Sequence, residues 1–318
     1  MKFLNSPDPW SEDFFNEMIK GRHNNEKNHF FIDRLTRVQK ILNEAENDYL
    51  IKGKASILHE IKSSTNVTSI DEKTSEIIEV SGDEMGRVYT NFFVGKPNSD
   101  KLSRKIYDEI IANTEKCPYC SGRQVKTVDH YLPKVYFALY TVSVYNLVPS
   151  CSDCNKEKQD RYETEEERML FHPYFDDLSN ECWLDCYLEE TIQDNDLSII
   201  FVYSISKQMT NKMLQSRLTH HFNLFNLGEL YTYLANNEFN NRKKQIIDEY
   251  DSISAGDTKK RIEFINTSLE SCRETNPNSP ETKMYEALAK SEWFFNEALP
   301  KLSEERRIMI TSQKLETL

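Results

Sequence analysis

Two stretches of the chain decide how its centre folds: CPYCSGRQVKTVDHYLPK at residues 117–134 and YNLVPSCSDCNKEK at residues 145–158. Each contains a pair of cysteines separated by two residues, and the four are Cys117, Cys120, Cys151 and Cys154. Such a pair spans one tight turn, so two thiolates can face one ion, and two pairs complete a tetrahedral site. The spacing therefore predicts a structural zinc ion held by four cysteines.

Two other interpretations of these cysteines stay open. They could be four unrelated buried thiols, although the matched spacing disfavours this. They could also be redox-active, but a redox role ordinarily involves one such pair beside a β-α-β pattern. The chain has seven cysteines. In a reducing compartment, an odd number with two close pairs favours metal binding over disulfide bonds.

The residues around the cysteines predict two short strands and a helix. VKTVDHYLP is rich in β-branched residues and ends at a proline, and YNLVPS gives a second strand around Asn146. SCSDCNKEKQDR then begins a helix, with Ser152 or Asp153 as its N-cap. A zinc ion would pin both ends of this segment. We therefore expect His130, Asn146 and Asn155 to lie close together.

Residues 117–158, about an eighth of the chain, resemble the HNH endonucleases. That family has a ββα-metal fold with a His, a middle Asn and a final His or Asn. The set here is His130, Asn146 and Asn155, similar to the zinc-containing branch with C-x2-C before the His and C-x2-C-N-x2-K after the middle Asn. The resemblance implies metal-dependent hydrolysis of phosphodiester bonds.

The resemblance also implies a role for each residue. His130, titrating near neutrality, would be the general base that activates water. Asp129 and Asn155 offer hard oxygen ligands for one catalytic Mg²⁺ or Mn²⁺ ion. Asn146 would hold the loop that orients the histidine, and the four cysteines would be scaffold. Asparagine instead of histidine at the third position leaves the metal preference open.

Taken singly, several of these residues have simpler explanations. An Asp-His pair on a strand is often a hydrogen-bonded surface pair, and Asn155 could be a plain helix cap. His172, in the segment FHPYFDD at residues 171–177, is predicted to be a packed or capping histidine. Of His220 and His221, adjacent on an amphipathic helix, at most one is expected to face the core.

Composition limits the class of protein. The 318 residues are 38% hydrophobic and 29% charged, with a mean hydropathy of -0.68. No apolar run approaches the ~18 residues of a membrane span. The N-terminus is broken by Pro7 and Pro9 before any apolar core of a signal peptide develops. We therefore predict a cytoplasmic protein without a membrane partner.

The net charge of -12 argues against binding nucleic acid over a broad surface. Residues 101–158 nevertheless hold nine Lys/Arg and six Asp/Glu, so the remainder carries a net charge of -15. A polyanion would be tolerated around the motif and repelled elsewhere. This balance suits a protein whose access to substrate is controlled or shared with a more basic partner.

The predicted fold class is α+β: a mostly helical protein with an embedded zinc-clipped ββα-metal module. Residues 1–98 form an N-terminal helical region, 99–175 the HNH module, and 176–318 a mixed, then helical, region that docks a partner. Smaller segments are also predicted. Before the module these are helices within 10–62, a loop or a poorly ordered excursion at 63–87, and a short strand or apolar loop at 88–97. A helix is predicted at 99–114, capped by Ser99 or Asp100, and further helices from Met209 onward with a linker at 274–281.

The sequence-based hypothesis is a metal-dependent HNH endonuclease that cuts DNA. The layout looks like the HNH subunits of Septu and retron-associated anti-phage systems, with helices before the motif, HPYFDD after it and a helical tail. That likeness implies a regulatory ATPase partner. Two alternatives remain: an RNA-cleaving, tRNA-directed toxin nuclease of the same fold, and a catalytically silent zinc module that binds partners.

Overall fold

A computed structural model gives the fold of the chain. It describes residues 1–8, 14–20, 26–71, 74–97, 99, 101–193, 196–253 and 258–316. The chain divides into two compact units, the first Met1–Asn180 with Ser216–Phe225 and the second Glu181–Gln215 with Asn226–Leu318. The regions 1–98 and 99–175 thus share one unit with one hydrophobic core.

The first unit is built around one long helix. Its elements are α1 (Phe14–Ile19), α2 (Glu26–Lys54), β1 (Asn66–Ile70), β2 (Ile77–Ser81), α3 (Gly82–Arg87), α4 (Leu102–Ala112), β3 (Thr127–His130), β4 (Leu147–Ser150) and α5 (Ser152–Lys158). Apolar residues of α2 recur every three or four positions, and Leu35, Val38 and Leu42 are buried in the core. Val128 of β3 and Leu147 of β4 belong to the same core. The long helix therefore lies in the same core as the predicted site.

Helix α2 also packs against the segment that follows the motif. A Cβ atom on Gly53 would lie 2.4 Å from a ring carbon of Phe175. Glycine inside a helix weakens it relative to alanine, by about 1 kcal/mol. The close approach of the Phe175 ring explains why a residue without a side chain is present there.

The polar segment 63–87, predicted to be a loop, instead forms a β-hairpin and a short helix. Strands β1 and β2 pair antiparallel with Val67 opposite Val80, and these side chains are buried on one face with Ile78. Ser81 then caps α3 through a capping box. The prediction was wrong because most of the exposed alternate positions are polar, with Ile70 and Ile77 as exceptions, and three buried apolar residues are enough to dock the hairpin.

The stretch at 88–97 is helical, so the predicted strand or apolar loop was also wrong. π-helical turns cover Val88–Val94 and continue directly from α3. Tyr89 and Phe93 lie four residues apart, on one face, and both rings are buried. The stretch ends at Gly95, whose φ of +58° is a conformation that glycine adopts without steric cost.

Helix α4 confirms the helix predicted at 99–114, but not its cap. Lys101 occupies the N-cap position and makes no capping hydrogen bond with its side chain. The Ser99 hydroxyl accepts a hydrogen bond from the Lys101 N–H at 3.4 Å. This N–H belongs to the N-cap residue and not to the first turn of the helix, so Ser99 does not cap α4. Asp100 lies outside the described residues.

The second unit contains a long hairpin and most of the C-terminal helices. Its elements are β5 (Leu184–Gln193), β6 (Asp196–Ile205), α6 (Lys212–Leu224, shared with the first unit), α7 (Leu227–Ser252), α8 (Thr258–Thr275), α9 (Pro280–Lys290), π-helical turns at Phe294–Ala298, and α10 (Leu299–Glu316). The predicted helices after Met209 and the linker before Pro280 are confirmed. Among the described helices, none is both long enough and apolar enough to cross a bilayer.

Helices and small antiparallel sheets together make the fold α+β, as predicted. Within the described part of the chain, three two-stranded sheets are present: β1 with β2, β3 with β4, and β5 with β6. Each is a pair of neighbours in sequence, so none requires a crossover connection.

Candidate functional site

The two predicted strands and the helix form at the centre of the first unit. Strands β3 and β4 pair antiparallel, with Thr127 opposite Ser150 and His130 opposite Leu147. The segment YNLVPS predicted a strand around Asn146. Asn146 instead lies in a 3₁₀ turn immediately before β4. The backbone ladder nevertheless continues to it, because the Tyr131 N–H donates to the Asn146 carbonyl at 2.8 Å.

Helix α5 is capped by a cysteine and not by Ser152 or Asp153. The Cys151 sulfur accepts a hydrogen bond from the Cys154 N–H at 3.3 Å, which is the N-cap geometry. The predicted caps were wrong because the turn that brings these two sulfurs to one point is itself the first turn of the helix. One local structure thus closes the cysteine pair and starts α5.

The four motif cysteines converge on a single point. All are buried and unoxidised, and their sulfurs lie within 4.8 Å of one another, with Cys120 and Cys151 4.0 Å apart. Zinc–sulfur bonds of about 2.3 Å in a tetrahedron require sulfur separations of about 3.8 Å. In the described ranges no other group of three or more His, Cys, Asp or Glu side chains brings its ligand atoms this close together. The donor set fits one metal ion such as zinc.

The first cysteine pair is closed by backbone hydrogen bonds. The Ser121 N–H donates to the Cys117 carbonyl at 2.7 Å, and the Cys117 N–H donates to the Arg123 carbonyl at 2.8 Å. Ser121 adopts a φ of +52°, which turns the chain back on itself after Cys120. Contacts with neighbouring sulfurs raise the pKa of the Cys117 thiol and lower that of Cys120. A cation is therefore needed for all the thiols to be ionised together.

His130 is held by a backbone carbonyl of the loop between β3 and β4. Its Nε2 lies 2.8 Å from the Thr141 carbonyl oxygen. A carbonyl only accepts hydrogen bonds, so Nε2 carries the proton and Nδ1 is the basic nitrogen. Burial lowers the pKa of His130 to about 3, with smaller contributions from the charges of Lys134 and Lys158. The expected titration near neutrality was wrong, because the ring is buried.

Asn146 fixes the loop that carries this carbonyl. Its Oδ1 accepts a hydrogen bond from the Leu132 N–H at 2.7 Å. Its Nδ2 donates to the Leu132 carbonyl at 2.9 Å and to the Tyr140 carbonyl at 3.0 Å. Thr141 follows Tyr140 directly. Asn146 thus ties the start of the loop to the residue next to the one that orients His130.

Asp129 is buried and paired with Lys158. The Lys158 Nζ lies 3.1 Å from one carboxylate oxygen and 3.4 Å from the other, and it also donates to the His130 carbonyl at 2.6 Å. The Tyr119 hydroxyl donates to the same carboxylate at 3.0 Å. Burial raises the pKa of Asp129, while Lys158 and Tyr119 oppose the shift.

Asn155 lies on the same side of the strands as Asp129. Its Nδ2 is 3.4 Å from the Thr127 hydroxyl, and Thr127 and Asp129 alternate onto one face of β3. The two predicted ligands of a catalytic ion therefore lie where α5 packs on β3: Asp129 on the strand and Asn155 on the helix. Sequence reasoning did not assign Lys158 to the site. Its signal was present, since Lys158 is the last residue of the C-x2-C-N-x2-K pattern.

A buried hydrogen-bonded chain reaches Asn146 from the other side. The His172 Nδ1 accepts from the Tyr174 N–H at 3.2 Å, so its Nε2 carries the proton and donates to the Tyr49 hydroxyl at 3.2 Å. The Tyr49 hydroxyl in turn donates to the Asn146 Oδ1 at 3.1 Å. The packed role predicted for His172 is confirmed. Tyr49 could not be found from sequence beyond its place on the buried face of α2.

The segment that carries His172 is anchored by a buried ion pair. Arg217 of α6 contacts both carboxylate oxygens of Asp176, at 2.6 and 2.9 Å, and donates to the Leu170 carbonyl at 2.9 Å. Asp176 also accepts from the His172 N–H at 2.7 Å. A bidentate pair of this kind fixes geometry.

The two adjacent histidines of α6 differ as predicted. His221 is fully buried, with Nε2 2.9 Å from the Tyr119 carbonyl. His220 is half-buried and lies 3.1 Å from a carboxylate oxygen of Glu163.

Comparison with known proteins gives one informative relative. No family model matches the chain, and no solved structure matches it significantly. Protein ea31 of Escherichia phage lambda is 31% identical over 214 residues, which cover 62% of this chain and 70% of the phage protein. The chain therefore belongs to the same protein family as Protein ea31 of Escherichia phage lambda.

Proposed function

We propose that the chain is a metal-dependent HNH endonuclease that hydrolyses phosphodiester bonds of DNA. The observation that carries the proposal is the setting of His130. The Thr141 carbonyl holds its protonated Nε2, which leaves a neutral, basic Nδ1. The ring must be neutral to accept a proton, and burial favours the neutral form. A histidine needed for packing alone would not require the loop fixed by Asn146.

The residues for a catalytic ion are also present. The Asp129 carboxylate and the Asn155 amide oxygen suit a hard divalent cation such as Mg²⁺ or Mn²⁺. When bound there, the cation would stabilise negative charge on the phosphate and on the leaving oxygen. Lys158 already places one positive charge beside Asp129. The Lys158 ammonium opposes the rise in the Asp129 pKa that burial causes.

The four-cysteine site would act as scaffold. The cysteines lie at the ends of the motif, before β3 and at the start of α5. An ion held by all four would keep strands and helix together, and structural zinc contributes folding free energy. Zinc would therefore position His130 and Asn155 without taking part in the chemistry.

The test is plasmid nicking by the purified chain. Wild type should nick DNA with Mg²⁺ or Mn²⁺, and EDTA should stop cleavage before it removes the zinc. His130→Ala should keep zinc and fold but lose about 10²–10⁴ in rate, the usual contribution of a general base. His220→Ala, which removes a half-buried histidine from the same unit, is the matched control and should keep full activity. Nicking that survives in His130→Ala would contradict the proposal.

The same assay separates the alternatives. Cleavage of structured RNA in preference to plasmid DNA would favour the toxin nuclease. Absence of cleavage of either nucleic acid, with zinc and fold intact, would favour a silent zinc module. In that outcome residues 117–158 would be an interaction module.

A role in anti-phage defence with an ATPase partner is a second, separate proposal. It is supported by the acidic balance outside residues 101–158, which opposes DNA binding by the chain alone. The isolated chain should then bind DNA weakly, and addition of the ATPase should increase cleavage. Tight DNA binding by the isolated chain at physiological salt would count against regulation by a partner.

A further inference from the structure

Two surface cavities of the first unit join into one cleft. The larger, about 560 Å³, is lined by the β1–β2 hairpin, α3 and the loop after β3. The smaller, about 370 Å³, is lined by the π-helical turns and the start of α4. Thr90 and Asn91 line both cavities. The two cavities therefore adjoin at these residues, and together they are called the cleft.

The cleft is basic, in contrast to the chain as a whole. Its basic lining side chains are Arg87, Lys96, Lys101, Arg104 and Lys134, and among the described lining residues Asp83 is the one acid. Arg104 is paired with Asp108 at 2.6 Å, so its charge is largely neutralised. Even without Arg104 and Lys101, the three side chains Arg87, Lys96 and Lys134 outnumber the one carboxylate, in a chain with a net charge of -12. A local positive surface on an acidic protein indicates an anionic ligand.

The other lining groups suit a phosphate backbone. Thr65, Asn66, Thr90 and Asn91 place hydroxyl and amide groups along the cleft. Protein contacts to the phosphodiester backbone come mainly from Arg and Lys together with Ser, Thr and Asn side chains. Among the described residues that line the larger cavity none is aromatic, so base stacking is not the mode of binding that it offers.

The cleft ends one aromatic ring away from the predicted base. The Lys134 ammonium lies 5.3 Å from the centre of the Tyr89 ring. The same ring meets the imidazole of His130 edge-on, with ring centres 4.5 Å apart. One aromatic ring therefore separates a cation of the cleft from the residue that would activate water.

We propose that this cleft binds the phosphodiester backbone of substrate DNA and leads it to His130. The inference rests on the endonuclease function proposed above and adds a binding site to it. Arg87 and Lys134 contact the phosphates near the site, and Lys96 and Lys101 contact those further along the strand. The acidic remainder of the surface restricts DNA to this path.

Gly86 allows a sharp test. It lines the larger cavity, and a Cβ atom on it would meet no atom within 4 Å. Gly86→Glu and Gly86→Gln should both fold, because both residues are better helix formers than glycine. The two variants differ by one negative charge inside the cleft. Gly86→Gln is thus the matched control for Gly86→Glu.

Binding is measured by anisotropy of a fluorescein-labelled DNA duplex, in the full chain carrying His130→Ala to prevent cleavage. Gly86→Glu should bind on the order of ten-fold more weakly than Gly86→Gln at low salt, since one lost phosphate contact lowers the slope of log K against log salt by about 0.9. Arg87→Gln, Lys96→Gln and Lys134→Gln combined should lower that slope by about 2.7. Lys105→Gln, on α4 but outside the cleft lining, should leave it unchanged.

The outcomes separate the cleft from the catalytic proposal. If wild type nicks DNA, but Gly86→Glu and the combined variant alter neither affinity nor KM, DNA binding by the cleft is refuted and the endonuclease proposal stands. If DNA binding depends on these cations but no metal-dependent cleavage occurs, the nuclease is overturned and the cleft stands. Tighter binding of an RNA duplex through the same cations would overturn the assignment to DNA.

Discussion

Replacement of Lys158 by methionine tests the buried charge at the centre of the site. Lys158 has no exposed surface, and its ammonium is within 3.1 Å of the Asp129 carboxylate. The methionine side chain would keep most of the length and the apolar stem. It would leave the carboxylate without its charged partner, with hydrogen bonds from the Tyr119 hydroxyl and the His130 backbone. Removing one partner of a buried ion pair costs about 3–5 kcal/mol. That is a large part of the ~5–15 kcal/mol by which domains are stable.

The assay is urea denaturation, and the site supplies its own controls. Lys156→Met removes an exposed lysine from the same helix and should change the free energy of unfolding by no more than about 0.5 kcal/mol. Asp129→Asn combined with Lys158→Met removes the uncompensated charge and should recover part of the loss. The two substitutions should therefore be non-additive, by about 0.5–3 kcal/mol.

The pH dependence has a definite sign. The folded-state pKa of Asp129 is already raised by burial, and loss of Lys158 removes a cause that opposes the rise. A carboxyl with a raised folded-state pKa loses stability as pH rises through that pKa. The loss of unfolding free energy caused by Lys158→Met should thus be smaller at acidic than at alkaline pH. A Lys158→Met protein as stable as Lys156→Met at all pH values would refute the reasoning.

Added Mn²⁺ extends the same experiment to the catalytic ion. If Asp129 is a ligand, Mn²⁺ should stabilise Lys158→Met more than wild type, because the cation no longer competes with the ammonium. It should not stabilise the variant that also carries Asp129→Asn. Equal effects of Mn²⁺ on all three proteins would mean that Asp129 does not bind the ion.

Three further predictions concern the scaffold and its pH dependence. Metal analysis should find about one zinc per chain, and Cys151→Ser should give insoluble or locally unfolded protein; a soluble, fully active variant would contradict the zinc site. Tyr49→Phe removes the hydroxyl that joins His172 to Asn146, and it should cost about 1–3 kcal/mol of stability and lower the cleavage rate. Burial lowers the pKa values of His130 and His221 to about 3, so the unfolded chain binds more protons at these residues below its own pKa of ~6.5. The free energy of unfolding, measured by urea denaturation, should therefore fall by about 2 kcal/mol for each histidine between pH 7 and pH 5.

Local sequence determined the centre of this protein. Two Cys-x-x-Cys pairs, a β-branched run and a helix start were enough to predict β3, β4, α5 and four converging sulfurs. These features depend on turn geometry and on residues near each other in the chain. The long helices were predictable for the same reason, because apolar residues repeating every three or four positions define a buried face.

Tertiary structure decided the rest. The hairpin at 66–81 forms because three of its apolar residues pack into a core that α2 and other distant segments contribute, and no local pattern predicts this. Burial, not residue type, moved the His130 pKa to about 3. Tyr49 and Lys158 joined the site because distant segments meet there: residue 49 contacts residue 146, and residue 158 contacts residue 129. Contacts between segments far apart in sequence, and the desolvation they cause, are properties of the folded chain alone.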